Sequence, residues 1–139
     1  MRHSILLVED NDGDAELTKI AFKEVEANAS LTIFQDGEVA LDYLKEATEK
    51  SQLPNMIILD LNLPKISGFD ILNHIKENDE LKKIPVLILT SSSSERDRIQ
   101  CYMNHASAYL TKPNSFAQFI ELVKLIDKFW FNFALLPKT

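Results

Sequence analysis

The sequence MIILDLNLP, running from Met56 to Pro64, sets four apolar residues, Met56, Ile57, Ile58 and Leu59, directly before the acid Asp60. A short unbroken apolar run suits a strand buried on both faces, as in the interior of a parallel sheet. A carboxylate at the carboxyl end of such a strand stands where open α/β sheets place their ligands. Three other runs repeat the pattern: ILLV before Glu9 and Asp10, VLIL before Thr90, and AYLT before Lys112. All four ends are expected to converge on one site around Asp60.

Outward from this stretch the chain alternates strand-like and helix-like segments. Met1 to Val8 holds the first strand. Asn11 or Asp12 can cap a helix whose inward face includes Leu17, Ile20, Ala21 and Val25. Leu31 to Phe34 is a second strand. Asp36-Gly37 then turns into a helix with Val39, Ala40, Leu41, Leu44 and Ala47 on its apolar face. Beyond the central strand, Pro64 and Gly68 punctuate a loop, and Phe69, Leu72 and Ile75 mark the third helix. Pro85 opens the fourth strand, Val86 to Leu89, where its missing N–H costs least. Thr90 to Ser94 reads as a mobile hydroxyl-rich loop. The helix that follows, Glu95 to Asn104, has few apolar residues (Ile99, Tyr102, Met103) and is expected to be marginal. Ala108 to Leu110 is the fifth strand. Ser115 with Gln118 forms a capping box that opens a last helix carrying Phe116, Phe119, Ile120, Val123 and Ile126. Five strands alternating with five helices, joined by right-handed crossovers, give an α/β fold with a parallel sheet covered on both sides.

The 139 residues suffice for one domain with a sizeable core, and no repeat or linker marks a second, so residues 1–139 read as a single domain. A net charge of −6 with scattered Lys and Arg argues against a nucleic-acid surface. Cys101 is the sole cysteine, which rules out an internal disulfide and a thiolate metal cage; it reads as a small buried hydrophobe. No apolar run is long enough to span a membrane, and the N-terminal run meets Glu9 too soon for a signal peptide, so a cytoplasmic location is expected.

Glu9, Asp10 and Asp60 at one edge would repel each other unless a cation joined them. Oxygen ligands without a Cys or His cluster select a hard ion such as Mg2+ or Mn2+. A carboxylate beside such an ion can attack phosphorus and become an aspartyl phosphate. Lys112 would then neutralise the transferred group, and the Thr90 hydroxyl would hydrogen-bond to it.

With these residues in place, the chain resembles the receiver domain of two-component response regulators, the CheY-like family. The likeness is carried by ILLVEDN, LDLNLPKISG, LILTSSS and AYLTKP, in this order at the ends of the first, third, fourth and fifth strands. It implies a flavodoxin-like three-layer sandwich, (βα)5, with strand order 2-1-3-4-5. It also implies that Asp60 is the phospho-acceptor and that Asp10 and Glu9 hold the metal, with the backbone carbonyl of Asn62. By the same resemblance Thr90 is the switch hydroxyl, Tyr109 the aromatic switch and Lys112 the lysine that meets the phosphoryl group. Lys112–Pro113 is expected as a cis peptide bond, and Asn62 and Ser92 lie near the phosphate. Two residues depart from the pattern: Glu9 stands where Asp is usual, and His105 where Gly is common, so an unusual backbone angle is expected at His105.

At the other end, Phe129, Trp130, Phe131 and Phe133 crowd four aromatics into five residues. A single helix face cannot bury them all against one sheet, so part of this extended, aromatic-rich C-terminal helix and tail is expected to meet a partner, with homodimerisation as one form; the alternative is a helix end folded back on its own domain. This ending, with LDLNLPK, resembles single-domain regulators associated with bacterial phytochrome histidine kinases. The expected partner is therefore a sensor histidine kinase or phosphotransfer protein. Three rivals are set against this reading. A phosphohydrolase would want a second acid where Asn62 stands. A phosphorylation-independent interaction module need not keep Asp10, Asp60, Thr90 and Lys112. A flavin protein would want a hydroxyl-rich loop after the first strand.

Overall fold

The computed structural model describes residues 2–137. Five strands, β1 (His3–Val8), β2 (Ala29–Phe34), β3 (Met56–Leu59), β4 (Val86–Thr90) and β5 (Ala108–Thr111), alternate with α1 (Asp12–Glu24), α2 (Gly37–Glu49), α3 (Gly68–Glu77), α4 (Glu95–Met103) and α5 (Phe116–Ile126). The strands pair in parallel in the order 2-1-3-4-5, as expected. The chain continues from α5 as a π-helical segment, Asp127–Phe133.

Side-chain alternation splits the central strands between two cores. Leu6, Val8, Ile57, Leu59, Val86 and Ile88 face α2, α3 and the buried Cys101 of α4. Ile5, Leu7, Met56, Ile58, Leu87 and Leu89 face α1, α5 and Phe131. All four residues of β3 are buried, which explains a continuous apolar run rather than an alternating one.

The helices start where capping side chains allow. Asn11, Asp36, Ser67, Ser94 and Ser115 each accept a backbone N–H of the first turn. On α1 the expected Leu17, Ala21 and Val25 pack against the core, with Ala15, Thr18 and Phe22 buried beside them, whereas Ile20 is exposed. Val39 and Phe116 are exposed for the same reason, since each lies at the margin of its helix's apolar stripe. Ile99, Tyr102 and Met103 of α4 also face out, and Cys101 alone of that helix is buried. His105 adopts φ 69, the left-handed angle expected there.

The approach of α3 to the end of β3 is the tightest feature near the strand ends. A Cβ on Gly68 would lie 2.2 Å from the Asp60 carbonyl oxygen and 2.6 Å from Leu61 Cα. The Gly68 N–H in turn donates to the Leu61 carbonyl at 2.9 Å. Backbone cannot yield as a flexible side chain would. Gly68→Ala is therefore expected to destabilise the protein by about 1–3 kcal/mol in urea unfolding, with displacement of Asp60 visible in amide chemical shifts at residues 60–62. An unshifted midpoint would show that the loop accommodates the methyl group.

Candidate phosphoryl-acceptor and metal site

Parallel register brings the strand ends together. Val8 pairs with Leu59 across β1 and β3, so Glu9 and Asp60 leave the sheet side by side. The ladder runs past the strands: the Asp60 N–H donates to Val8 O at 3.1 Å, Glu9 N–H to Phe34 O at 3.0 Å and Lys112 N–H to Thr90 O at 2.8 Å. These bonds fix the Cα positions of the acids before any side-chain contact is made.

Glu9 and Asp60 are nearly inaccessible to solvent, and Asp10 beside them is exposed. One carboxylate oxygen from each of the three lies within 4.8 Å of the others. That donor set, hard oxygens from three acids with one side open, fits a divalent cation. Asn62 lines the same cleft, with Asp12, Asp14, Ser91 and Lys112, and its N–H donates to Asp60 Oδ1 at 3.3 Å.

Lys112 reaches across from the end of β5. Its Nζ lies 2.7 Å from Glu9 Oε1, 2.8 Å from Asp60 Oδ2 and 2.7 Å from Asp14 Oδ2. Burial opposes the charged ammonium, but bonds to Asp14, Asp60 and Glu9 outweigh it and raise the lysine pKa. Burial also pushes the Asp60 carboxyl up, yet bonds with Lys112, Glu9 and Thr90 hold it below the ordinary aspartate value. For Glu9 burial wins: despite Lys112, desolvation and the neighbouring Asp60 raise its pKa to about 7. The two acids thus divide roles, with Asp60 anionic and Glu9 the one that takes a proton first.

Thr90 is fully buried at the end of β4, with its hydroxyl toward Asp60. It also accepts the Ser92 N–H at 3.4 Å. The loop beyond it, expected to be mobile, is tied by hydrogen bonds: Ser92 Oγ donates to Asp97 Oδ2 at 2.7 Å, and the Tyr109 hydroxyl donates to the Ser92 carbonyl at 2.8 Å. Tyr109 is half-buried, packs against the core below α4, and donates its own N–H to the Tyr102 hydroxyl oxygen at 3.1 Å.

The expected cis bond at Lys112–Pro113 is corrected: no cis peptide bond occurs among the described residues. The trans form is the lower-energy one for X–Pro bonds, and here Lys112 reaches all three carboxylates with it. Sequence reasoning also missed Asp14 as a partner of Lys112. It reads naturally as a first-turn helix acid, since it follows the N-cap Asn11 by three residues.

The family described as response regulator receiver domain matches residues 5–124. Response regulator Rcp1 of Synechocystis is 41% identical over 135 residues, covering 96% of this chain and 92% of Rcp1. The crystal structure of the Mn(2+)-bound form of Rcp1 superposes with TM-score 0.87 at 40% identity, over 97% of this chain and 99% of that one. The phosphorylated cyanobacterial phytochrome response regulator RcpA gives TM-score 0.91 at 36% identity, over 99% of both chains. No helix among the described residues is long and apolar enough to cross a membrane. With the strand order, the acid cluster at the sheet edge and these likenesses together, the chain belongs to the response regulator receiver domain family, whose members act as phospho-acceptors in signalling.

Proposed function

We propose that this chain works as a stand-alone receiver that takes a phosphoryl group onto Asp60 from a sensor histidine kinase or phosphotransfer protein, in a reaction dependent on Mg2+ or Mn2+. The observation that carries the proposal is the buried Asp60 carboxylate, held anionic by Lys112 and set beside Glu9 and Asp10. The Asp60 carboxylate attacks the phosphorus of a phosphohistidine. An O–P bond forms as the P–N bond breaks, and the electron pair returns to the imidazole nitrogen, which takes up a proton. A divalent cation, held by Glu9, Asp10, Asp60 and the Asn62 backbone carbonyl, would supply positive charge against the phosphoryl oxygens. Lys112 and the Thr90 hydroxyl meet those oxygens from the protein side.

Beyond its own phosphorylation and dephosphorylation, no catalysis is proposed. Thr90 moving toward the phosphoryl group would carry Ser92 and the Tyr109 hydroxyl with it, repacking the surface formed by α4, β5 and α5. Output is then a protein contact, in the cytoplasm, with neither nucleic acid nor membrane. Resemblance to RcpA and to a bacteriophytochrome response regulator, AtBRR, favours a phytochrome-type kinase as donor. A single domain over residues 1–139, with the aromatic C-terminal segment as an extension, is supported by coverage of nearly the whole of Rcp1.

Incubation with acetyl phosphate and Mg2+ is expected to add one phosphoryl group by intact mass in the wild type and none in Asp60→Asn. Equal gain in both would place the nucleophile elsewhere. No gain even from a kinase would favour the alternative, a phosphorylation-independent interaction module.

Metal binding should depend on pH. The Glu9 pKa, raised from 4.5 to about 7, means that the folded state holds a proton there that the unfolded chain releases. This contribution to stability is complete below about 4.5 and is lost as pH rises toward 7. Asp60 is held below the ordinary aspartate value and does not enter this window. A cation must displace the Glu9 proton, so Mg2+ affinity by calorimetry is expected to tighten from pH 5.5 to 7.5 and then level off. Affinity flat across that range would show that Glu9 is not a ligand.

Leu125, Phe129 and Phe133 are 64%, 55% and 69% exposed along the C-terminal segment. We infer that a second copy covers them. Light scattering is expected to give twice the monomer mass, and Phe129→Ser with Phe133→Ser to return the monomer; a wild-type monomer would refute the dimer.

A further inference from the structure

The three ammonium N–H groups of Lys112 are matched by three carboxylates, and these are not equivalent. Glu9 and Asp60 belong to the cluster that fits a divalent cation, so their oxygens are shared once one binds. Phosphorylation further converts Asp60 from a carboxylate into an acyl phosphate, a mixed anhydride. Asp14 stands outside that cluster. It contacts Lys112 at 2.7 Å, and nothing else among the proposed ligands competes for it.

Asp14 is also well anchored. Its N–H donates to the capping Asn11 Oδ1 at 2.9 Å, and its carbonyl accepts the Thr18 hydroxyl at 2.8 Å. Behind it, α1 is held by the buried Ala15, Thr18, Ala21 and Phe22. The backbone that carries this carboxylate is therefore held by hydrogen bonds and by helix packing.

We propose that Asp14 is a positioning residue for phosphoryl transfer: it tethers Lys112 over the site while one lysine N–H passes from Asp60 to a phosphoryl oxygen. This rests on Asp60 being the phospho-acceptor. With acetyl phosphate the O–P bond to Asp60 forms as the P–O bond to the acetyl group breaks, and acetate leaves with the electron pair. Without Asp14 the long lysine side chain regains freedom at the moment when its other two partners are drawn away. A catalytic group loosened in this way loses rate through orientation.

The test follows the rate of phosphoryl gain by intact mass at saturating Mg2+ in wild type, Asp14→Asn and Asp14→Glu, with Mg2+ affinity measured in parallel. Asp14→Asn is expected to slow the gain about tenfold, and Asp14→Glu to recover most of it. Mg2+ affinity should stay within about twofold, because the Asp14 charge is partly exposed and screened. The Lys112 ammonium 15N signal, protected from exchange in Mg2+-bound wild type, should be lost in Asp14→Asn. An Asp14→Asn protein as fast as wild type, or one that keeps that signal, overturns the tether. So does an equal loss of rate in both variants, which assigns the effect to the helix terminus, or a tenfold loss of Mg2+ affinity, which makes Asp14 part of the metal site. If wild type gains no phosphoryl group from acetyl phosphate or from a kinase, the phospho-acceptor reading fails, and the ammonium signal alone decides the tether.

Discussion

Charge balance at the carboxyl edge of the sheet is the constraint on which this structure turns. Parallel pairing delivers Glu9 and Asp60 side by side, and backbone bonds from Asp60 to Val8 and from Lys112 to Thr90 prevent the strands from sliding apart. Repulsion between the acids must therefore be relieved by a counter-charge or a proton. Lys112 supplies the first and the raised Glu9 pKa the second. An unpaired charge buried here would cost several kcal/mol, so the lysine supports the fold as well as the site. The same arrangement holds the acids ready for a cation before one arrives, which spares reorganisation when charge develops.

From this edge a continuous set of hydrogen bonds leads away. The Thr90 hydroxyl faces Asp60, the Ser92 N–H donates to Thr90 Oγ1, the Ser92 carbonyl accepts the Tyr109 hydroxyl, and the Tyr109 N–H donates to the Tyr102 hydroxyl oxygen. The chain begins at a fully buried residue and ends on the exposed face of α4. Nearness alone does not make a signal; two discrete positions of Thr90 would. What the contacts supply is a short mechanical link in which each group has a polar partner, so a displaced Thr90 leaves Ser92 and Tyr109 to find new ones.

Where physics is local, the sequence was legible. Unbroken apolar runs marked β1, β3 and β4, and polar residues at their ends marked the site, because parallel strands have no freedom to place their carboxyl ends elsewhere. The left-handed angle at His105 was readable from the residue type found in place of a usual glycine. Legibility failed where tertiary geometry decides. The spacing of α1 suggests Ile20 inward with Leu17, Ala21 and Val25, but the core takes Phe22 and leaves Ile20 exposed at the margin of that face. Asp14 looked like a helix-start acid until β5 brought Lys112 to it, a contact across 98 residues of sequence.

The C-terminal segment shows how satisfying one face exposes another. Asp127 accepts the Asn28 N–H at 2.9 Å, the Asn132 amide donates to the Asp127 carbonyl at 2.9 Å, and Phe131 stacks on His3 at 4.9 Å with 24° between the rings. These contacts pin the start of the segment beneath the amino ends of β1 and β2. The wider π-helical turn, closed by Ala134 N–H to Phe129 O at 2.7 Å, carries Phe131 into the core already filled by Phe119, Val123 and Ile126. Once that face is committed, Leu125, Phe129 and Phe133, spaced four residues apart, must point outward as a stripe. Covering that stripe would not compete with the fold, because the residues that hold the segment to the body lie on its opposite face. An apolar surface of this kind is best explained by a partner that buries it, and the anchoring of Asp127 and Phe131 makes the stripe a rigid one to bind.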